Sequence, residues 1–302
     1  MLSPVLLAFA GTDQQTLIPF MAAGSKICPF CRRLNGADET TCHSCQRRLT
    51  GPATRAGASF FRQVLSTELF MTRFFTGLCF AVFALGTLGS GGLPPIFGSY
   101  FAASELLRWG AIGFDLGRFE PWRYLSAVFV HLNLVHLGLN MLSLLYLGRM
   151  LEQQVGGARF ALLFVVTGTA GFIVSDLWHT YLGVPWITAG ASGSLFGMMG
   201  AFIGWLYARR DPEWKNVLLR FAVYAVAFAF AFPVNNAAHL GGFVAGFPIG
   251  FLLQRERRPE RHKRVFAVLA GLCLILSLAS IVLSATSPIW KLRKAIEVER
   301  ES

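Results

Sequence analysis

The stretch Thr188-Ala-Gly-Ala-Ser-Gly-Ser-Leu-Phe-Gly197 is a small-residue turn that opens an apolar run through Met198, Met199, Phe202, Ile203 and Trp205 to Tyr207. A run of that kind reads as a membrane helix, so the hydroxyl of Ser192 falls at its start, inside a bilayer. A second polar group stands in a matching place. His239 lies in Asn235-Asn-Ala-Ala-His-Leu-Gly-Gly-Phe-Val-Ala-Gly246, at the start of another Gly-rich apolar segment. A nucleophile and a base at the same depth point to chemistry within the membrane.

The rest of the chain fits that setting. Of 302 residues, 54% are hydrophobic and only 14% charged, which excludes an ordinary soluble domain. Apolar runs long enough to span, roughly 20 residues each, are predicted at Leu69–Ser90, Tyr124–Gly148, Phe160–Leu182, Ala189–Ala208, Val217–Phe232, Ala237–Leu253 and Val265–Leu283. The net charge of +11 is informative through its distribution. Lys and Arg gather before the first span (Arg47, Arg48, Arg55, Arg62, Arg73), after the second (Arg149, Arg159), after the fourth (Arg209, Arg210, Lys215) and after the sixth (Arg255, Arg257, Arg258, Arg261, Lys263, Arg264). Positive charge marks the cytoplasmic side, so the N-terminus is expected in the cytoplasm, with the fourth and sixth spans starting at the outer face. The opening Met1–Ala23 has no basic n-region and is not read as a cleaved signal; Met21 is an alternative start.

Four of the six cysteines form Cys28-Pro-Phe-Cys31 and Cys42-His-Ser-Cys45. Two such knuckles can bring four thiolates around one zinc, and a segment this short has too little core to fold otherwise. The alternative, a disulfide pair, is disfavoured on the cytoplasmic side. A site filled by four thiolates leaves no open position for catalysis, so this zinc is structural, and the module binds or regulates. It resembles a zinc ribbon in its spacing, although Gln46 stands where a Gly often follows the second knuckle. His43 is expected to be solvent-exposed rather than a ligand. The predicted organisation is an N-terminal extension (1–27), a zinc ribbon (28–49), a linker (50–68), a seven-helix membrane domain (69–285) and a C-terminal tail (286–302).

Within the membrane, His136 and Asn140 differ by about 40° around a helix and share a face, whereas His131 falls about 140° from His136. His131 is therefore assigned a structural hydrogen bond near the outer loop. Ser192 sits at a helix start, where free N–H groups favour a developing oxyanion. Small residues recur every fourth position in two segments, Ala189, Gly193, Gly197, Ala201 and Ala238, Gly242, Gly246, Gly250. Such ladders let helices approach closely and would bring Ser192 to His239. No carboxylate is available at this depth, so a Ser-His dyad is the economical reading, with His136 and Asn140 as oxyanion donors. Packing alone explains each piece singly; the conjunction does not reduce to packing.

These residues resemble the rhomboid intramembrane serine proteases, over about Glu120 to Gly250. The resemblance is carried by Trp122-Arg123, His131-x4-His136-x3-Asn140, Leu147-Gly-Arg-Met-Leu-Glu152, Gly190-Ala-Ser-Gly193 and Ala238-His-Leu-Gly-Gly-Phe-Val-Ala-Gly246. It implies an all-α polytopic fold of six helices plus one, with Ser192 as nucleophile, His239 as general base, and His136, Asn140 and the Ser192 N–H as oxyanion stabilisers. It implies cleavage of transmembrane protein substrates through an acyl-enzyme, with no cofactor needed for catalysis. It also implies that Trp122-Arg123 belongs to an outer loop half-embedded in the bilayer. Where the family often has Tyr stacking on the catalytic His, this chain has Phe196, which keeps the aromatic face and loses the hydroxyl. The expected setting is a bacterial cytoplasmic membrane, with the bilayer and a cytoplasmic protein on the ribbon as partners and no nucleic acid. Two rivals remain, a catalytically inactive relative that binds membrane clients and a transporter; the latter lacks paired ionisable groups at mid-depth.

Overall fold

The structure is a computed structural model describing residues 26–49, except 29, 37, 38 and 48, and 69–292, except 97, 98, 114, 115, 185, 233, 257 and 258. Most of the N-terminal extension, the linker and the tail from residue 293 lie outside the described residues. Two units separate, Met1–Arg62 and Gln63–Ser302.

The small unit is held by two copies of one turn. Cys28 N–H donates to Arg33 O at 2.9 Å, and Cys42 N–H donates to Arg47 O, also at 2.9 Å. Strands β1 (Lys26–Ile27) and β2 (Leu34–Asn35) pair antiparallel across the first turn. The residue after each second cysteine is left-handed, Arg32 at φ 60° and Gln46 at φ 56°. The missing glycine is thus met by strain in a long side chain's backbone, about 1 kcal/mol or more per residue.

The large unit is helical: α1 (Phe70–Ser90), α2 (Ala103–Trp109), α3 (Leu116–Phe119), α4 (Arg123–Ser126), α5 (Leu134–Val155), α6 (Gly157–Leu182), α7 (Ser192–Ala208), α8 (Glu213–Ala231), α9 (Asn236–Arg255) and α10 (Pro259–Thr286). Each of the seven long helices overlaps one predicted span, with shifted ends. Five of them, α1, α5, α6, α9 and α10, are long and apolar enough to cross a membrane. The other two fall short for separate reasons. Helix α7 has only 17 residues, about 26 Å of rise against a hydrocarbon core of about 30 Å, so its first turn can lie below the bilayer surface. Helix α8 carries Glu213, Lys215 and Arg220 in its first half.

The second span begins later than predicted, at Leu134 rather than Tyr124. Asn133 caps the helix, its side chain accepting the His136 N–H at 2.8 Å. The preceding segment folds as α4 and a 3-10 turn (Ala127–Phe129), drawn inward by Arg123. That guanidinium is fully buried and bonds Glu120 together with the carbonyls of Leu107 and Ala111. Glu120 in turn accepts the Ser287 hydroxyl, and Ser126 Oγ lies 3.1 Å from Ser284 Oγ. The last helix therefore ends beside the loop between the first two long helices.

The core lies between α1, α5, α6 and α7. Phe75 stacks on Phe164 with centroids 4.4 Å apart, and both are fully buried with Phe129 and Phe160. Glu152 of α5 closes the start of α1, accepting the N–H groups of Met71 and Thr72 at 2.9 and 2.8 Å. Near the start of α6, Arg159 grips Glu256 with two nitrogens, at 2.9 and 3.0 Å. That pair, and to a lesser degree His262, holds the Glu256 carboxyl below its ordinary range.

Candidate active site and metal centre

The two small-residue ladders meet face to face, rung by rung. A Cβ built on Gly242 would stand 2.0 Å from Gly193 O, one on Gly246 1.9 Å from Gly197 O, and one on Gly250 1.9 Å from Ala201 O. Only glycine permits this approach, and it fixes α7 and α9 at nearly backbone contact. Asn235 sets the start of α9, its side chain accepting Ala238 N–H at 3.0 Å. The first turns of the two helices then bring His239 Nε2 to 2.8 Å from Ser192 Oγ. With Nε2 accepting the hydroxyl proton, Nδ1 carries the ring's own hydrogen. Among the described residues no carboxylate contacts His239. Phe196, one turn along α7 from Ser192, lies flat on the imidazole, with centroids 4.0 Å apart and 10° between planes.

The segment before Ser192 is pinned from below. Gly190 donates its N–H to Ala127 O at 2.8 Å, and its φ of 129° is a glycine conformation. A side chain there would also strike His136, with Cε1 and Nε2 at 2.6 and 2.8 Å. His136 therefore aims Nε2 at the turn that precedes Ser192. Its Nδ1 faces Leu132 N–H at 3.4 Å, which leaves the proton on Nε2, a donor. The start of α7 has no side-chain cap, so its first backbone N–H groups lack helical partners. Asn140 behaves less simply than expected. Its Nδ2 donates back to His136 O at 2.8 Å within α5, and its Oδ1 is buried without a partner.

His131 does more than the sequence indicates. Nδ1 faces Phe129 O at 3.3 Å, and Ala191 N–H points to Nε2 at 3.5 Å. The ring also packs 5.2 Å from that of His136. It holds the residue before Ser192, a role reached through the fold of the 3-10 turn and invisible to helical spacing.

In the small unit the four predicted ligands converge. The sulfurs of Cys28, Cys31, Cys42 and Cys45 all lie within 4.8 Å of one another, with Cys28–Cys45 at 3.6 Å and Cys31–Cys42 at 3.5 Å. Tetrahedral thiolates about 2.3 Å from one zinc would be separated by about 3.8 Å, so the set fits a metal ion held by four sulfurs. None of them forms a disulfide. The backbone N–H of Cys45 leads the groups that, against burial, bring the Cys42 thiol down from 9.0 to about 6, which favours a thiolate there, whereas at Cys45, against the Arg47 backbone N–H, burial and the neighbouring sulfurs push the thiol up to about 11. His43 points away to Glu39, 3.5 Å off.

Residues 118–256 match the Rhomboid domain family model. The chain is 31% identical over 209 residues to RHOMBOID-like protein 2 of Arabidopsis thaliana, covering 64% of each. It is 37% identical over 139 residues to RHOMBOID-like protein 5 of the same plant, covering 44% of each. It is also 30% identical over 132 residues to Rhomboid protease GluP of Bacillus subtilis, covering 42% of this chain and 25% of that one. The chain thus spans less than two thirds of the length of these relatives, and their plant and bacterial sources single out no bacterial membrane. Five membrane-length helices, the interlocked glycine ladders and the matched residues make this an integral multi-pass membrane protein that carries a Rhomboid domain.

Proposed function

We propose that the chain is a serine endopeptidase that cuts transmembrane segments of other membrane proteins. The observation that carries this reading is the 2.8 Å contact between Ser192 Oγ and His239 Nε2, at paired helix starts within a rhomboid domain. In the reaction Ser192 Oγ attacks the scissile carbonyl while His239 Nε2 takes its proton. The oxyanion meets the Ser192 backbone N–H, the His136 Nε2–H and the positive end of α7. Asn140 contributes the amide hydrogen not used by His136 O. His239 then returns the proton to the leaving amine, and water releases the acyl group from Ser192 by the reverse sequence.

Water and substrate enter from the outer side, the end at which Ser192 and His239 lie under the positive-inside assignment, with the N-terminus in the cytoplasm. Helix α8 is the element most easily displaced for lateral entry. None of its described residues is buried, and its ring contacts with α7 and α9 come from Phe221, on Phe196 and Phe243, and Trp214, on Tyr207. The four-cysteine cluster holds a structural zinc, and the ribbon around it docks a cytoplasmic protein; the dyad needs no cofactor.

The test is labelling of the full chain by a fluorophosphonate, together with cleavage of a single-span substrate in liposomes. Both are expected in the wild type and absent in Ser192→Ala and His239→Ala. Folded protein that neither labels nor cuts would instead support a client-binding relative.

A further inference from the structure

At the C-terminal turns of α6, a cavity of about 320 Å³ is lined by Asp176, His179, Trp186 and Thr188, among others. One wall is the short sheet in which β3 (Ile112–Gly113) pairs with β4 (Ile187–Thr188). Two of its lining residues, Ser175 and Thr188, connect it to the segments that lead into α7 and α9. Thr188 precedes Ser192 by four residues. Asn235 donates to Ser175 Oγ at 2.6 Å and to Thr188 Oγ1 at 3.0 Å, while its own oxygen caps the helix that carries His239.

The charge in this cavity is unbalanced. Asp176 is half-buried, and its Oδ2 accepts the Tyr124 hydroxyl at 2.6 Å. Among the described residues it makes no ion pair. A carboxylate held partly out of water without a counter-charge gains from any cation that reaches it. Aromatic surface stands in the same wall: the His179 ring stacks on Trp186 at 5.3 Å and 21°, fixed by its Nδ1 contact with Ser175 O at 2.7 Å. Indole beside carboxylate suits a lysine or arginine, whose stem packs on the ring while the head meets the anion. A substrate strand extended across Ser192 advances about 3.3 Å per residue, so side chains a few residues from the scissile bond come within reach of the cavity.

We propose that this cavity is a substrate subsite for a lysine or arginine on the outer side of the scissile bond, with Asp176 as the residue that reads its charge. The proposal rests on the protease reading. Basic residues are scarce on the outer flank of membrane segments, so such a subsite narrows the set of substrates sharply.

The test uses the full chain in liposomes and a single-span substrate cut by the wild type, with Lys or Gln placed in turn at the first few positions outside the cleavage point. The wild type is expected to prefer Lys at one of these positions. In Asp176→Asn, which keeps an acceptor for Tyr124, the Lys-to-Gln ratio of kcat/KM should fall about tenfold. In Asp176→Lys the preference should pass to a Glu substrate. An unchanged ratio in Asp176→Asn overturns the proposal, as does an equal loss on both substrates accompanied by a lower Tm, which marks Asp176 as structural only. Absence of any Ser192-dependent cleavage by the wild type would instead refute the protease reading itself.

Discussion

Adding one methyl group at Gly246 should disable the site from two turns away. The new Cβ of Gly246→Ala would start 1.9 Å from Gly197 O, whereas carbon–oxygen contacts settle at about 3.0 Å or beyond, so the helices must part by about 1 Å. Backbone faces backbone at this rung, and no flexible side chain can give way. The displacement carries along α9 to its first turn, where the His239–Ser192 contact is 2.8 Å. An added ångström takes that pair out of hydrogen-bond range and is expected to slow Ser192 acylation about 10²-fold. The assay is the second-order rate of fluorophosphonate labelling, followed with Tm. Val244→Ala, on an exposed part of the same helix, serves as the control and should label like wild type. If Gly246→Ala is folded and labels within about threefold of wild type, the two helices yield more than their contact implies, and the dependence of the dyad on the ladder is refuted.

Removing the ring that lies on His239 should matter less. Phe196→Ala is expected to lower the labelling rate roughly three- to tenfold, in line with about 1 kcal/mol for a stacked pair; measured kcat should follow. Ser287→Ala strips one partner from the buried Glu120 and should lower stability by about 1–3 kcal/mol, read by thermal denaturation in detergent. Chelation of the metal from the full chain should expose four thiols to a water-soluble thiol reagent, those of Cys28, Cys31, Cys42 and Cys45, while the buried Cys79 and Cys273 stay unreactive. Glu256 has its folded pKa depressed below 4.5, first by Arg159. Its contribution to stability is therefore complete above the unfolded value and disappears as pH falls through the folded one. Glu256→Gln should flatten the acid side of the Tm–pH curve, measured from about pH 6 to pH 3.

Much of this architecture is legible in the chain itself because a bilayer imposes simple rules. Helix length, small-residue spacing and the placement of Arg and Lys locate the spans, and the i+4 ladders name the pair of helices that touch. The paired knuckles likewise single out the four sulfurs that cluster. What escapes is whatever depends on non-helical backbone. Ala127 O and His131 hold Gly190 and Ala191 from a segment that reads as the start of a helix, and nothing in its apolar pattern reveals the turn. The departure there comes from Arg123, a buried cation whose partners are carbonyls of residues far back in the loop. Asn140 shows a different limit. Its helical face is predictable, but the carbonyl it bonds belongs to its own helix, one turn back, which no periodicity can distinguish from a free amide.

The ties between the last helix and the first loop bear on biogenesis. Ser284 and Ser287 leave the ribosome late, yet they bond Ser126 and Glu120, residues adjoining the Ala127 carbonyl and the Arg123 guanidinium. A nascent chain therefore carries Ser192 and His239 into the membrane well before the segment beneath them is clamped. The segment under Ser192 and His239 is thus completed only when α10 arrives, and a chain stalled ahead of that helix is expected to lack these ties.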